Sequence, residues 1–161
     1  ADESFYENRK IENSETGTEI LEGRNILIAE DNDLNAEIAE AILKRAGLKT
    51  ERVVNGIQCV NMITKMPADT YDMILMDIQM PEMDGYEAAR AIRQLPDREK
   101  ACIPIIAMTA NAFTEDRIRA KEAGMDEHIA KPIDVKLLVK VICKLVGNDF
   151  KGSCNEKEKV E

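Results

Sequence analysis

The chain has 161 residues, the length of one domain, and carries 22 Lys and Arg against 31 Asp and Glu, a net charge of −9. That balance argues against attraction to nucleic acid through a general electrostatic field. No apolar run approaches the ~18 residues of a membrane span, and the start lacks the basic, apolar and small-residue pattern of a secretory signal, so a cytoplasmic chain without membrane contact is expected. The chain begins at Ala1, as a piece of a longer protein would.

Residues 1–23 are polar and rich in Glu, and residues 148–161 end in Asn155-Glu156-Lys157-Glu158-Lys159. Such segments bury too little apolar surface to offset their ordering entropy, so both read as flexible tails around a body of 24–147. That body holds 17 basic and 20 acidic residues, a net of only −3.

Within the body two periods alternate. Asn25 to Ala29 is a short apolar run, a buried strand. Leu34, Ile38 and Ile42 recur every fourth residue, predicting one buried helix face, and Gly47 stops that helix. Lys49 to Val54 reads as an edge strand, and Asn55 caps a helix carrying Val60 and Ile63. Met73 to Met76 is the next apolar strand, followed by a helix over Tyr86–Gln94 that ends before Pro96. Ile103 to Met108 is a strand, and a charged helix runs from Thr114 to Ala123 before Gly124. His128 to Ala130 is a short strand, and Asp134 caps a last helix with Leu138, Ile142 and Leu145 on one face. Strands separated by helical crossovers cannot be hairpins, so five strands and five helices in alternation predict a parallel sheet covered on both faces.

Parallel sheets place ligands beyond the carboxyl ends of their strands. Here those ends carry Glu30-Asp31, Asp77, Thr109 and Lys131-Pro132. Each has an ordinary reading alone: a solvated strand end, a turn aspartate, a β-branched filler, a surface lysine. Together they bring three carboxylates, a hydroxyl and an ammonium to one rim. Carboxylates that close raise one another's pKa, so a proton or a cation must sit among them. A hard divalent cation with oxygen ligands, Mg²⁺ or Mn²⁺, suits that donor set. In the loop after Asp77, Pro81 fixes its own φ and Gly85 permits a tight helix entry. Met80 and Met83, expected to be exposed beside it, read most simply as packing residues.

Other chemistries fail on composition. The eight glycines form no G-x-G, which removes the dinucleotide fingerprint and the phosphate-cradling loop. His128 is the one histidine, which leaves nucleophilic hydrolases without a base elsewhere and argues against a histidine phosphotransfer protein. A phosphatase of the haloacid-dehalogenase kind would want a second Asp where Gln79 stands. Cys59, Cys102, Cys143 and Cys154 lack metal-ligand spacing and read as reduced thiols.

The residues Glu30-Asp31, Leu75-Met76-Asp77-Ile78-Gln79-Met80-Pro81, Met108-Thr109-Ala110-Asn111 and Lys131-Pro132 closely resemble the receiver domain of response regulators in two-component signalling. The likeness covers about 24–147, and Glu-Asp-Asn-Asp-Leu-Asn with Met-Asp-Ile-Gln-Met-Pro looks most like receivers of hybrid sensor histidine kinases. The resemblance implies a flavodoxin-like (βα)₅ doubly wound sheet of order 2-1-3-4-5 in three α/β/α layers. It implies a phosphorelay module in which Asp77 accepts a phosphoryl group from a phosphohistidine, and which then switches shape and autodephosphorylates. It is a self-phosphorylating acceptor rather than a conventional enzyme. Mg²⁺ would be held by Asp31, Asp77 and the Gln79 carbonyl, with Glu30 assisting. Lys131 and Thr109 would serve the transfer, and Gln79 and Asn111 would tune dephosphorylation. The Lys131-Pro132 bond is typically cis in the family. The partner would be a histidine kinase or a histidine phosphotransfer protein, with a weak homodimer possible and a parent that could be membrane-anchored. His128 stands where the family commonly places a switching Tyr or Phe, so its part in the switch is open. The competing reading is a receiver-like interaction module that works without phosphorylation.

Overall fold

A computed structural model describes residues 21–110 and 114–147. Five strands, β1 (Asn25–Ala29), β2 (Lys49–Val53), β3 (Met73–Asp77), β4 (Ile105–Thr109) and β5 (Glu127–Ala130), form one parallel sheet in the order β2-β1-β3-β4-β5. The flavodoxin-like order is therefore the one expected. β3 and β4 are buried along their whole length, whereas β2 alternates at the sheet edge. Strands covered on both faces need continuous apolar runs, and a half-covered edge does not.

Six helices connect them among the described residues: α1 (Asp33–Arg45), α2 (Gly56–Lys65), α3 (Gly85–Arg93), α4 (Arg98–Ala101), α5 (Thr114–Glu122) and α6 (Val135–Gly147). The pleat sends Leu27 and Ala29 to one face, where they pack with residues of α2, α3 and α5 such as Ile63, Ile92 and Ala120. Ile26 and Ile28 go to the other, against Ala39, Leu43, Leu138 and Ile142 of α1 and α6. The short α4 was not anticipated. It is capped by Asp97, whose side chain accepts from the amides of Glu99 and Lys100, and a four-residue helix is too short to leave a periodic signature.

Other details also differ from expectation. α1 buries Ala36, Ala39, Ile42 and Leu43, while Leu34 and Ile38 are 64% and 44% exposed. Small alanines let α1 lie close to the sheet, so the long side chains of the i, i+4 stripe stand on its outer shoulder. Met80 is buried and Met83 packs against the core, so neither is a free surface methionine. Leu21 is fully buried beside Leu43 and Leu48, and the Gly23 amide donates to the Gly47 carbonyl at 3.0 Å, so packing begins before residue 24. Cys59 and Cys143 are free thiols, but Cys102 is disulfide-bonded, against the expectation of reduced thiols; Cys154 lies outside the described residues. Among the described residues no helix is long and apolar enough to cross a membrane.

Candidate functional site

The carboxyl ends of β1, β3, β4 and β5 open into one cleft of about 800 Å³. Glu30, Asp31, Asp77, Gln79, Thr109 and Lys131 all line it, so the sheet order joins the residues that sequence had placed at separate strand ends. Asp77 closes β3, paired in register with Met108, and the next amide, Ile78, donates to the Met108 carbonyl at 3.1 Å. On the other side Gly85 begins α3 hard against the end of β3. Its amide donates to the Ile78 carbonyl at 2.8 Å, and a Cβ at that position would lie 2.5 Å from the Asp77 carbonyl oxygen. Only glycine fits there without a shift of the backbone.

Three acids crowd the floor. Glu30, Asp31 and Asp77 each offer a carboxylate oxygen, all within 4.8 Å of one another. Glu30 and Asp77 are buried, whereas Asp31 is exposed. The Lys131 Nζ sits between them, 3.1 Å from Asp77 Oδ1 and 3.3 Å from Glu30 Oε2. Asn35, from the first turn of α1, donates its Nδ2 to Glu30 Oε1 at 3.0 Å. Burial, then the hydrogen bond and negative charge of Glu30, push the Asp77 carboxyl up from 3.8 to about 7, and Lys131 opposes them without prevailing. One ammonium cannot neutralise three carboxylates in a partly dry site, so the cluster is short of positive charge. All-oxygen donors that need one more cation fit a hard divalent ion, with no nitrogen or sulfur ligand among them.

Thr109 ends β4 with 7% exposure, and its carbonyl accepts from the Lys131 amide at 2.8 Å. That bond holds the end of β5 beside the end of β4. The Lys131-Pro132 peptide is cis, as the resemblance implied. His128 lies apart: it is half-buried on β5, in register with Ala107, and does not line the cleft. Burial first, then the positive charge of Arg117, holds its pKa below the ordinary 6.5. Asn111 lies outside the described residues.

Sequence reasoning missed some contributors. Asn35 was visible in the run Glu30-Asp31-Asn32-Asp33-Leu34-Asn35, and helix spacing from the N-cap Asn32 would have turned it toward Glu30. Tyr86 and Arg119 also line the cleft, with the Arg119 guanidinium 4.6 Å from the Tyr86 ring centroid, but they come from two helices whose approach no local pattern reveals.

Comparison with known proteins agrees with this geometry. The family model of the response regulator receiver domain matches residues 26–143. Among curated proteins, the chain is 38% identical over 135 residues to the hybrid signal transduction histidine kinase L of Dictyostelium discoideum. It is 37% identical over 126 residues to the peroxide stress-activated histidine kinase mak1 of Schizosaccharomyces pombe. These alignments cover 80% and 78% of this chain but only 8% of either kinase. Among solved structures, the receiver domain of sensor histidine kinase PA1611 from Pseudomonas aeruginosa PAO1, with a magnesium ion coordinated in its active site cleft, is 38% identical with a TM-score of 0.70, covering 78% of this chain and 99% of that one. The receiver domain of Saccharomyces cerevisiae Ssk1, crystallised with the histidine phosphotransfer protein Ypd1, is 28% identical with a TM-score of 0.66, covering 76% and 88%. A five-stranded sheet of this order, an acidic cluster at its carboxyl rim and a family match over most of the body together make this chain a member of the response regulator receiver domain family.

Proposed function

We propose that Asp77 is the phosphoacceptor of a two-component phosphorelay, taking its phosphoryl group from a phosphohistidine on a kinase or phosphotransfer protein. The observation that carries this reading is the Asp77 carboxylate itself, buried at the end of β3, 3.1 Å from the Lys131 ammonium and inside a cluster of three acids. Asp77 attacks phosphorus in line, and the bond to the departing imidazole nitrogen breaks with its electron pair. Lys131 turns from the Asp77 oxygen to a phosphoryl oxygen, and the Thr109 hydroxyl donates to another, so catalysis is positioning plus charge neutralisation. Asp31, Asp77 and the Gln79 carbonyl would hold Mg²⁺, with Glu30 fixed behind them by Asn35 and Lys131. Bound there, Mg²⁺ would supply positive charge to the transferred phosphoryl group.

The product is an acyl phosphate, open to water along the same line. Exposed Gln79 flanks that approach and, with Asn111, tunes hydrolysis. The added charge of about −2 pulls Thr109 inward, and His128 follows in the switch. The relatives' names and the Ypd1–Ssk1 receiver complex support a parent that is a hybrid histidine kinase and a partner that carries phosphohistidine. Such a parent keeps this domain in the cytoplasm even where another segment is membrane-anchored. The opposing reading, binding without phosphorylation, leaves the complete acidic cluster without a role.

Incubation with Mg²⁺ and acetyl phosphate should add one hydroxylamine-labile phosphoryl group by intact mass, and Asp77→Asn should abolish it. Full phosphorylation of the Asp77→Asn chain overturns the assignment.

A further inference from the structure

We propose that Arg52 is a positioning residue for the metal site, clamping the acidic loop from the edge strand so that Asp31 faces the cleft; this rests on the phosphoacceptor reading only in assigning Asp31 as a metal ligand. Asp31 is exposed, and among the described residues its side chain makes no hydrogen bond or ion pair. Its direction is therefore set by its neighbours. Arg52 holds both shoulders. Its Nε donates to the Glu30 backbone carbonyl at 3.0 Å, and its Nη1 meets Asp33 Oδ1 at 2.7 Å. Those acceptors immediately precede Asp31 and follow it by two residues. A planar guanidinium spans them as one rigid fork, which a lysine cannot do.

Arg52 stands one residue from the end of β2, in register with Ile28, so it reaches the β1–α1 loop directly. The Glu30 amide donates to the Val53 carbonyl at 3.0 Å, and the Asn32 side chain accepts from the Asn35 amide at 3.0 Å. These bonds leave the Asp31 segment as the span between fixed points. Among the described residues the third guanidinium nitrogen, Nη2, is buried with no hydrogen-bond partner. An arginine on an edge strand is free to turn that nitrogen into water. Here the fork stays on the loop instead. The Asp33 carboxylate, 87% exposed, neutralises the guanidinium at close range, so the charge of Arg52 acts weakly on the cluster and its geometry acts strongly.

The test separates geometry from charge. Mg²⁺ affinity is measured by calorimetry on wild type, Arg52→Met, Arg52→Lys and Lys49→Met, with circular dichroism as the check on folding. Residues that orient metal ligands typically cost ~10–100-fold in affinity when removed, and a loop clamp acting through a weak site should give about the lower figure. Arg52→Met is expected to weaken Mg²⁺ binding about tenfold, and Arg52→Lys should lie between it and wild type. Lys49→Met, which removes the same charge from an exposed position on the same strand, should leave affinity unchanged or slightly tighter. Phosphorylation of Arg52→Met by acetyl phosphate should recover at saturating Mg²⁺. Unchanged or tighter Mg²⁺ binding in Arg52→Met overturns the proposal. If that chain does not fold, wild-type affinity in Arg52→Lys overturns it instead. Absence of Mg²⁺ binding in wild type would overturn the metal assignment itself, a distinct result.

Discussion

Burial makes the ionised Asp77 carboxylate costly while no cation is bound, and Glu30 adds to that cost. Its pKa in the folded chain, about 7, lies above the 3.8 of an exposed Asp. Between those values the folded state holds a proton that the unfolded state releases, so stability of the metal-free chain falls as pH rises through this window. Urea unfolding with chelator present should show wild type losing more stability than Asp77→Asn between pH 5 and pH 8, by on the order of a few kcal/mol at most. Mg²⁺ should restore wild type at pH 8 and do little at pH 5. Gly85 gives a second test. Gly85→Ala sets a methyl 2.5 Å from the Asp77 carbonyl oxygen, so backbone must move. A loss of ~1–3 kcal/mol is expected from such overpacking, with slower phosphorylation because the displaced atom belongs to the proposed acceptor, Asp77. The identity of these residues was legible in the sequence. The proton held at Asp77 was legible only as repulsion, because its cause includes a burial that composition does not reveal.

At the scale of elements, capping and pleat were readable and the facing of α1 was not. Asn55 caps α2, and the Asp134 carboxylate accepts from the amides of Lys136 and Leu137 at the start of α6, as local chemistry dictated. In α1 the larger apolar residues Leu34 and Ile38 suggested the buried face. The sheet instead took Ala36 and Ala39, because a helix packed closely on a sheet rewards small residues as well as apolar ones. Leu34 belongs to the same first turn as Asn35, which reaches the acidic floor, so this exposed stripe begins beside the cleft. Ile38→Glu should therefore change stability by no more than ~0.5 kcal/mol, as exposed substitutions do. It should slow phosphorylation by a phosphohistidine protein several-fold while leaving the acetyl phosphate rate unchanged. Parallel time courses with the two donors check this, and an equal slowing with both would place the effect at the cleft rather than in contact with the phosphohistidine protein.

For the whole molecule, strict alternation of strands and helices gave the parallel sheet, and the chemistry at the strand ends gave the rim. The edges of the body were harder to read. Residues 1–23 look solvated by composition, and composition averages away a single buried side chain. Leu21 is fully buried against α1 and the β2 entry, and the Gly23 amide ties the segment to Gly47. Gly47 itself turns with φ of +93° where α1 ends, so the start of the body and the α1–β2 turn hold each other. A chain cut to begin at residue 24 removes the leucine and that hydrogen bond together. Leu21→Ala in the full chain removes the side chain alone. The substitution should cost ~2–5 kcal/mol, as buried Leu→Ala changes do, a large share of the ~5–15 kcal/mol that holds a domain. Urea midpoints of the two variants should both fall below that of the full wild-type chain, with the truncated chain the lower. Acetyl phosphate labelling at 10 °C should nonetheless reach wild-type extent in Leu21→Ala, because Leu21 packs at the opposite ends of the strands from Asp77. A Leu21→Ala midpoint equal to wild type would return the boundary to residue 24.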